Sequence, residues 1–133
     1  MKMNVYLYAG DEVPDGFEYP ESYIEIMSRD FILDIEPWFF ICEFKNSALF
    51  WMSEIKRLYP TRKLIPFAKV NYSDDIACFD GEDTSGDPKI YYIHAFASPG
   101  WEDRGFAENF DEWLEIACLE SDHYKEDQLQ NKD

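Results

Sequence analysis

The amino-acid sequence predicts a single α+β domain, a mainly antiparallel twisted sheet flanked by helices, on three observations. Three short apolar runs follow one another between turn-forming residues: LIPFAKV (64–70), IACFD (76–80) and KIYYIHAFA (89–97). Segments with helical spacing stand on either side of them, at 20–27, 48–59 and 109–118. The 133 residues are 46% apolar and 18% aromatic, enough to build a core in spite of a net charge of −16.

Met3 to Tyr8 alternates Val5 and Leu7 with Tyr6 and Tyr8 and reads as a first strand or an irregular arm, closed by Ala9-Gly10-Asp11. Tyr19-Pro20-Glu21-Ser22 opens a short helix with Tyr23, Ile24 and Met27 sharing its inner face. Trp38 to Phe44, continuous and apolar after Pro37, reads as a buried strand. Residues 48–59 follow as a helix capped by Asn46 or Ser47, with Trp51, Ile55, Leu58 and Tyr59 inward and Pro60 as the stop.

Asn71 to Asp75 joins the first two strands of the meander as a tight turn. In the third, Ile90, Tyr92 and His94 face one side and Tyr91 and Ile93 the other. Ser98 to Gly105 reads as a polar loop. Asn109, with Glu112 three residues on, marks the N-terminus of the last helix, whose stripe is Phe110, Trp113, Leu114, Ala117 and Cys118. The domain is expected to cover residues 1–119, with 120–133 a polar, fraying tail. That tail carries five acids and two bases, so removing it leaves −13 and the acidity belongs to the domain.

The charge runs in blocks: ten acids and two bases in residues 1–44, six bases and one acid in 45–69, eleven acids and two bases in 73–112. Such a chain repels phosphate, which argues against nucleic acid and favours a basic protein partner. The sequence shows neither a signal peptide nor a membrane-spanning run, and Cys42, Cys78 and Cys118 read as buried free thiols, so a cytoplasmic protein is expected. No cofactor is implied.

Several of these residues together resemble the SUKH superfamily. They are Pro20-Glu21-Ser22-Tyr23, Leu64-Ile65-Pro66-Phe67-Ala68, Cys78-Phe79-Asp80, Ile90-Tyr91 to His94, and Asn109-Phe110 to Trp113-Leu114. That family includes yeast cell-wall-synthesis regulators and many bacterial immunity proteins. The resemblance implies an α+β protein-binding module without enzymatic chemistry. It implies an immunity protein that neutralises a cognate polymorphic or contact-dependent toxin, such as a nuclease; the competing expectation is a regulatory or scaffold domain.

Partner-binding residues are expected in the acidic loops: Asp74, Asp75, Asp80, Glu82, Asp83 and Asp87, joined by Trp101, Glu102 and Asp103 if the two later loops are neighbours. Other chemistries fit poorly. An EF-hand loop begun at Asp80 would need glycine sixth and glutamate twelfth, where Ser85 and Tyr91 stand, so no metal is expected. His94 near Asp80 is a conceivable general base, but with no nucleophile motif beside it a hydrogen-bonded structural histidine is favoured.

Overall fold

The computed structural model describes residues 5–130. Its elements are α1 (Glu21–Met27), β1 (Trp38–Phe40), α2 (Lys45–Leu58), β2 (Leu64–Val70), β3 (Asp75–Asp80), β4 (Ile90–His94), β5 (Asp103–Ala107) and α3 (Phe110–Gln130), with 3₁₀ turns at Gly10–Glu12 and Ile41–Glu43. The five strands form one sheet in chain order, every neighbouring pair antiparallel. The chain is thus a single α+β domain.

Strand alternation decides which helix covers which face. On one face, Phe79 of β3 stacks on Phe67 of β2, with ring centroids 4.2 Å apart. Tyr23 of α1 and Phe110 of α3 both pack on this pair. Trp113 meets Trp38, Phe40 and Phe67 edge-on. Its Nε1–H is buried without a hydrogen-bond partner, walled in by those aromatic rings. On the other face, Lys69 pairs with Ile76 across the β2–β3 ladder and lies against the Trp51 ring of α2. So α1 and α3 cover one side and α2 the other. Each large side chain fully buried in this way contributes about 1.5–3 kcal/mol over an exposed one.

The structure departs from the sequence reading in five places. The third strand of the meander stops at His94 and not at Ala97; Val5–Tyr8 takes the irregular one of its two readings, tied to the 3₁₀ turn after β1 by the Tyr6 N–H donating to the Cys42 carbonyl at 2.8 Å, with residues 3 and 4 outside the described residues. The strand beginning at Trp38 ends at Phe40 because the chain tightens into the 3₁₀ turn. Helix α2 starts at Lys45 behind Phe44 with no side-chain cap, so neither Asn46 nor Ser47 caps it. Within the expected 98–105 loop, Asp103–Ala107 is a strand. Finally, α3 does not fray at Glu120 but continues to Gln130. Its second half is held by Trp38 Nε1–H donating to Glu120 (3.2 Å), a Lys125–Asp34 ion pair (3.4 Å) and Tyr124 stacked on Tyr72.

Other expectations match. Helix α1 opens behind Pro20, and Ile90, Tyr92 and His94 share the face of Phe79, Ala77 and Asp75, their ladder partners. Asn109 Oδ1 accepts the Glu112 N–H at 2.9 Å, while the Glu112 carboxylate accepts the N–H of Glu108 at 2.5 Å. Cys42, Cys78 and Cys118 are free thiols; Cys42 and Cys78 are fully buried as expected, whereas Cys118 is only half-buried, and burial pushes the Cys42 thiol up to about 11.

Candidate functional site

Antiparallel topology sorts the loops between the two ends of the sheet. The 81–89 loop enters β4 at Ile90, whereas the 95–102 loop leaves it at His94. A five-residue antiparallel strand separates its ends by about 14 Å. The two loops expected to combine acids with Trp101 therefore stand at opposite ends of β4. The neighbour of the 95–102 loop is instead the 71–74 turn, where the Ala95 N–H donates to the Asp74 carbonyl at 2.9 Å.

The end at His94 is built around a presented tryptophan. Ser98-Pro99-Gly100-Trp101 is a type II turn: proline stands second, Gly100 third with φ +96°, and the Trp101 N–H closes it on the Ser98 carbonyl at 2.9 Å. The Trp101 side chain is left 74% exposed.

Beneath it, Glu102 is only 5% exposed, which removes it from the expected contact surface. One Glu102 oxygen accepts the Gly100 N–H at 2.7 Å and the other accepts from Arg62 Nη1 at 2.9 Å. The same Arg62 nitrogen also reaches Asp103 at 2.9 Å, and its guanidinium lies over the Tyr91 ring. Burial disfavours the Glu102 carboxylate, but the Arg62 and backbone hydrogen bonds outweigh it and hold the carboxyl below its usual range. Glu102 thus locks the turn that displays Trp101, and Asp103 is an exposed acid already paired.

Exposed aromatic residues gather at this end. Tyr72 tips the 71–74 turn. Phe96 has φ +69°, a left-handed conformation costly for a bulky side chain, and its half-exposed ring packs on Trp51, which also meets Phe50. Spacing within the sequence gives no sign of the Trp51–Phe96 contact, because it joins α2 to the far end of β4.

Asp75 and His94 sit in the same region. The Asp75 carboxylate contacts His94 Nδ1 at 2.8 Å and accepts from Ser73 Oγ at 3.2 Å. The carboxylate therefore lies between imidazole and hydroxyl, whereas nucleophile activation needs the imidazole in the middle. His94 is distant from Asp80, which ends β3 at the opposite side of the sheet, so the pairing considered from sequence is corrected to Asp75. Asp74 is exposed beside it.

The other end holds the remaining acids. Asp80 accepts the Glu82 N–H (3.0 Å), and Asp83 accepts the N–H groups of Ser85 (3.0 Å) and Lys89 (3.2 Å). The Ser85 hydroxyl and N–H hold the Asp83 carboxyl below its usual range. Asp87 accepts from the Asn109 side chain at 3.2 Å, and Glu82 is free in solvent. The loop is thus a rigid surface turn. Gly81 belongs to it because a Cβ there would stand 2.5 Å from the Lys63 carbonyl.

Between this loop and the first turns of α1 and α3 lies an open cleft of about 580 Å³. Asp87 lines it with Glu18, Glu21 and Asp111, four carboxylates from three sequence-distant segments. Among the described residues, no group of three or more His, Cys, Asp and Glu side chains is arranged to hold a metal ion. None of the described helices is long and apolar enough to cross a membrane.

Compared with models of known protein families, with curated proteins and with solved structures, the chain matches none.

Proposed function

We propose that this chain is a non-enzymatic protein-binding module of SUKH type, an immunity protein that blocks a cognate bacterial toxin through an acidic, aromatic-anchored surface. The observation that carries the reading is the Trp101 turn. A large side chain is displayed in water by a buried carboxylate, an arginine and a glycine-dependent turn, an arrangement that costs the fold apolar burial and makes sense when a partner covers the ring.

The charge adds the partner's character. A protein of net charge −16 attracts a basic surface such as the phosphate-binding cleft of a nuclease, and its acids accelerate encounter. The internal hydrogen bonding of His94 and Asp75 supports a structural role for that pair. The chain acts in the cytoplasm on this reading, where the toxin would arrive.

Co-expression with the toxin encoded beside this gene tests it. The expected outcome is survival of the host cell and co-purification of the two proteins. No protection by, and no binding to, any neighbouring toxin would overturn the proposal, and docking onto a housekeeping protein would move the assignment to a regulatory scaffold.

A further inference from the structure

The sheet ends in two edges of different character. At the β1 edge the Trp38 N–H is taken by the Ile35 carbonyl at 2.9 Å, and residues 32–36 run beside the strand. The β5 edge is bare. Asp103, Arg104, Gly105 and Phe106 are all exposed, and a Cβ on Gly105 would meet nothing within 4 Å.

Ladder alternation fixes which peptide groups this bare edge offers. The His94 N–H donates to the Glu102 carbonyl at 2.7 Å, so His94 faces β5, whereas the Lys89 carbonyl and the Ala95 N–H bond toward β3, to Asp80 N–H and the Asp74 carbonyl. Tyr91 and Ile93 therefore turn their peptide groups toward β3. Their opposite numbers in β5, Phe106 and Asp103, turn theirs outward. Because the register shifts between these two pairs, the outward residues stand three apart, where a regular strand presents its own two apart. An ordinary strand is thus rejected, but a second copy carries the same spacing in reverse. Laid antiparallel, Asp103 of each copy meets Phe106 of the other, with Arg104 and Gly105 between the two matches.

The side chains agree with this register. Asp103 and Phe106 share the face of Ile93 and Tyr91, and Lys89 Nζ lies over the Phe106 ring, 4.5 Å from its centroid. Lys89 has no ion-pair partner among the described residues. Residues opposed across an antiparallel pair stand about 5 Å apart, which puts Asp103 of one copy within reach of Lys89 of the other, twice over.

We infer that a second copy of this chain pairs with it edge to edge along β5, antiparallel, joining the two five-stranded sheets into one. The contact is two-fold and closed, so growth stops at the dimer. It needs no toxin and stands apart from that reading. At 0.01 M salt, where the screening length is about 30 Å, two copies of charge −16 repel one another; at 0.15 M it is about 8 Å, and the dimer should strengthen over that range.

Sedimentation velocity and amide hydrogen exchange on the full chain, at concentrations up to about 1 mM, test this. Wild type is expected to dimerise, with exchange at Asp103 and Phe106 slowing as concentration rises and exchange at Ala107, which faces β4, unchanged. Lys89→Glu and Asp103→Lys each set like charges at both crossings and should weaken the dimer about tenfold. Mixed together, the two variants should pair with each other as wild type does, since every crossing then joins opposite charges. Wild type that stays monomeric throughout overturns the inference, as does a dimer whose slowed amides lie elsewhere or one that neither variant weakens. Variants that keep wild-type circular dichroism yet fail to pair when mixed overturn it too. If either variant does not fold, the exchange pattern of wild type decides alone.

Discussion

The two ends of the sheet are built from the same kind of connection, a short loop between antiparallel strands, yet they spend their acids differently. At the Ile90 end the carboxylates of Asp80, Asp83 and Asp87 accept hydrogen bonds within the loop or from Asn109, and Glu82 remains in water. At the His94 end one carboxylate, Glu102, is taken out of water to hold a turn whose product is an exposed indole. The first end is a solvated source of negative potential. On the proposed function the second is a pre-set contact. Potential acts on the rate of encounter and a desolvated aromatic acts on the lifetime of a complex, so the ends are suited to different steps of the same association.

The largest expected effect comes from breaking the lock. Arg62→Ala leaves Glu102 buried without its cation and should cost about 3 kcal/mol, the low end for a broken buried pair because Arg62 keeps a quarter of its side chain exposed. Urea denaturation measures it. Stability unchanged by the substitution would mean that the turn is held by its backbone alone.

A smaller effect separates the ends by pH. The Glu102 carboxyl is held below its reference value of 4.5, so its contribution is complete above that pH and is lost as the pH falls through the lowered value. Thermal melts between pH 6 and 3 should therefore decline less steeply for Glu102→Gln than for wild type, while Glu82→Gln, at the solvated end, should follow wild type. Parallel wild-type and Glu102→Gln curves would remove the lock from the account.

The smallest effect belongs to the acidic loop. Glu82→Gln with Asp87→Asn should slow association with a basic toxin by about threefold at low salt, leave dissociation unchanged, and leave stability within about 0.5 kcal/mol. Stopped-flow mixing across a salt series distinguishes this from a contact role, in which dissociation would quicken instead.

Much of the scaffold was legible in the sequence because its signals are local. Pro20 and Asn109 mark helix starts by their own chemistry, and LIPFAKV and IACFD carry enough apolar and β-branched residues to be strands wherever they are placed. Strand β5 was not legible. Asp103-Arg104-Gly105-Phe106-Ala107 has charges and a glycine where a strand pattern should be, and it becomes one by pairing with β4 through an irregular register. The second half of α3 is likewise held by Trp38, Asp34 and Tyr72, all distant in sequence.

The candidate site divides in the same way. Trp101 stood out because an indole is unusual in a polar loop, and Pro99-Gly100 announced its turn. The burial of Glu102 depends on Arg62, forty residues away, and the separation of the two acidic loops depends on the order of strands. Phe96 falls within the strand-like run KIYYIHAFA, and only the fold shows its ring beside Trp51.

The central claim is that Trp101 is displayed for a partner, and the affinity of a Trp101→Ala variant for the toxin encoded beside this gene tests it most directly. The account predicts a loss of about 2 kcal/mol, roughly thirtyfold, carried by faster dissociation, with folding stability unchanged within about 0.5 kcal/mol. Wild-type affinity and dissociation rate in that variant would contradict it.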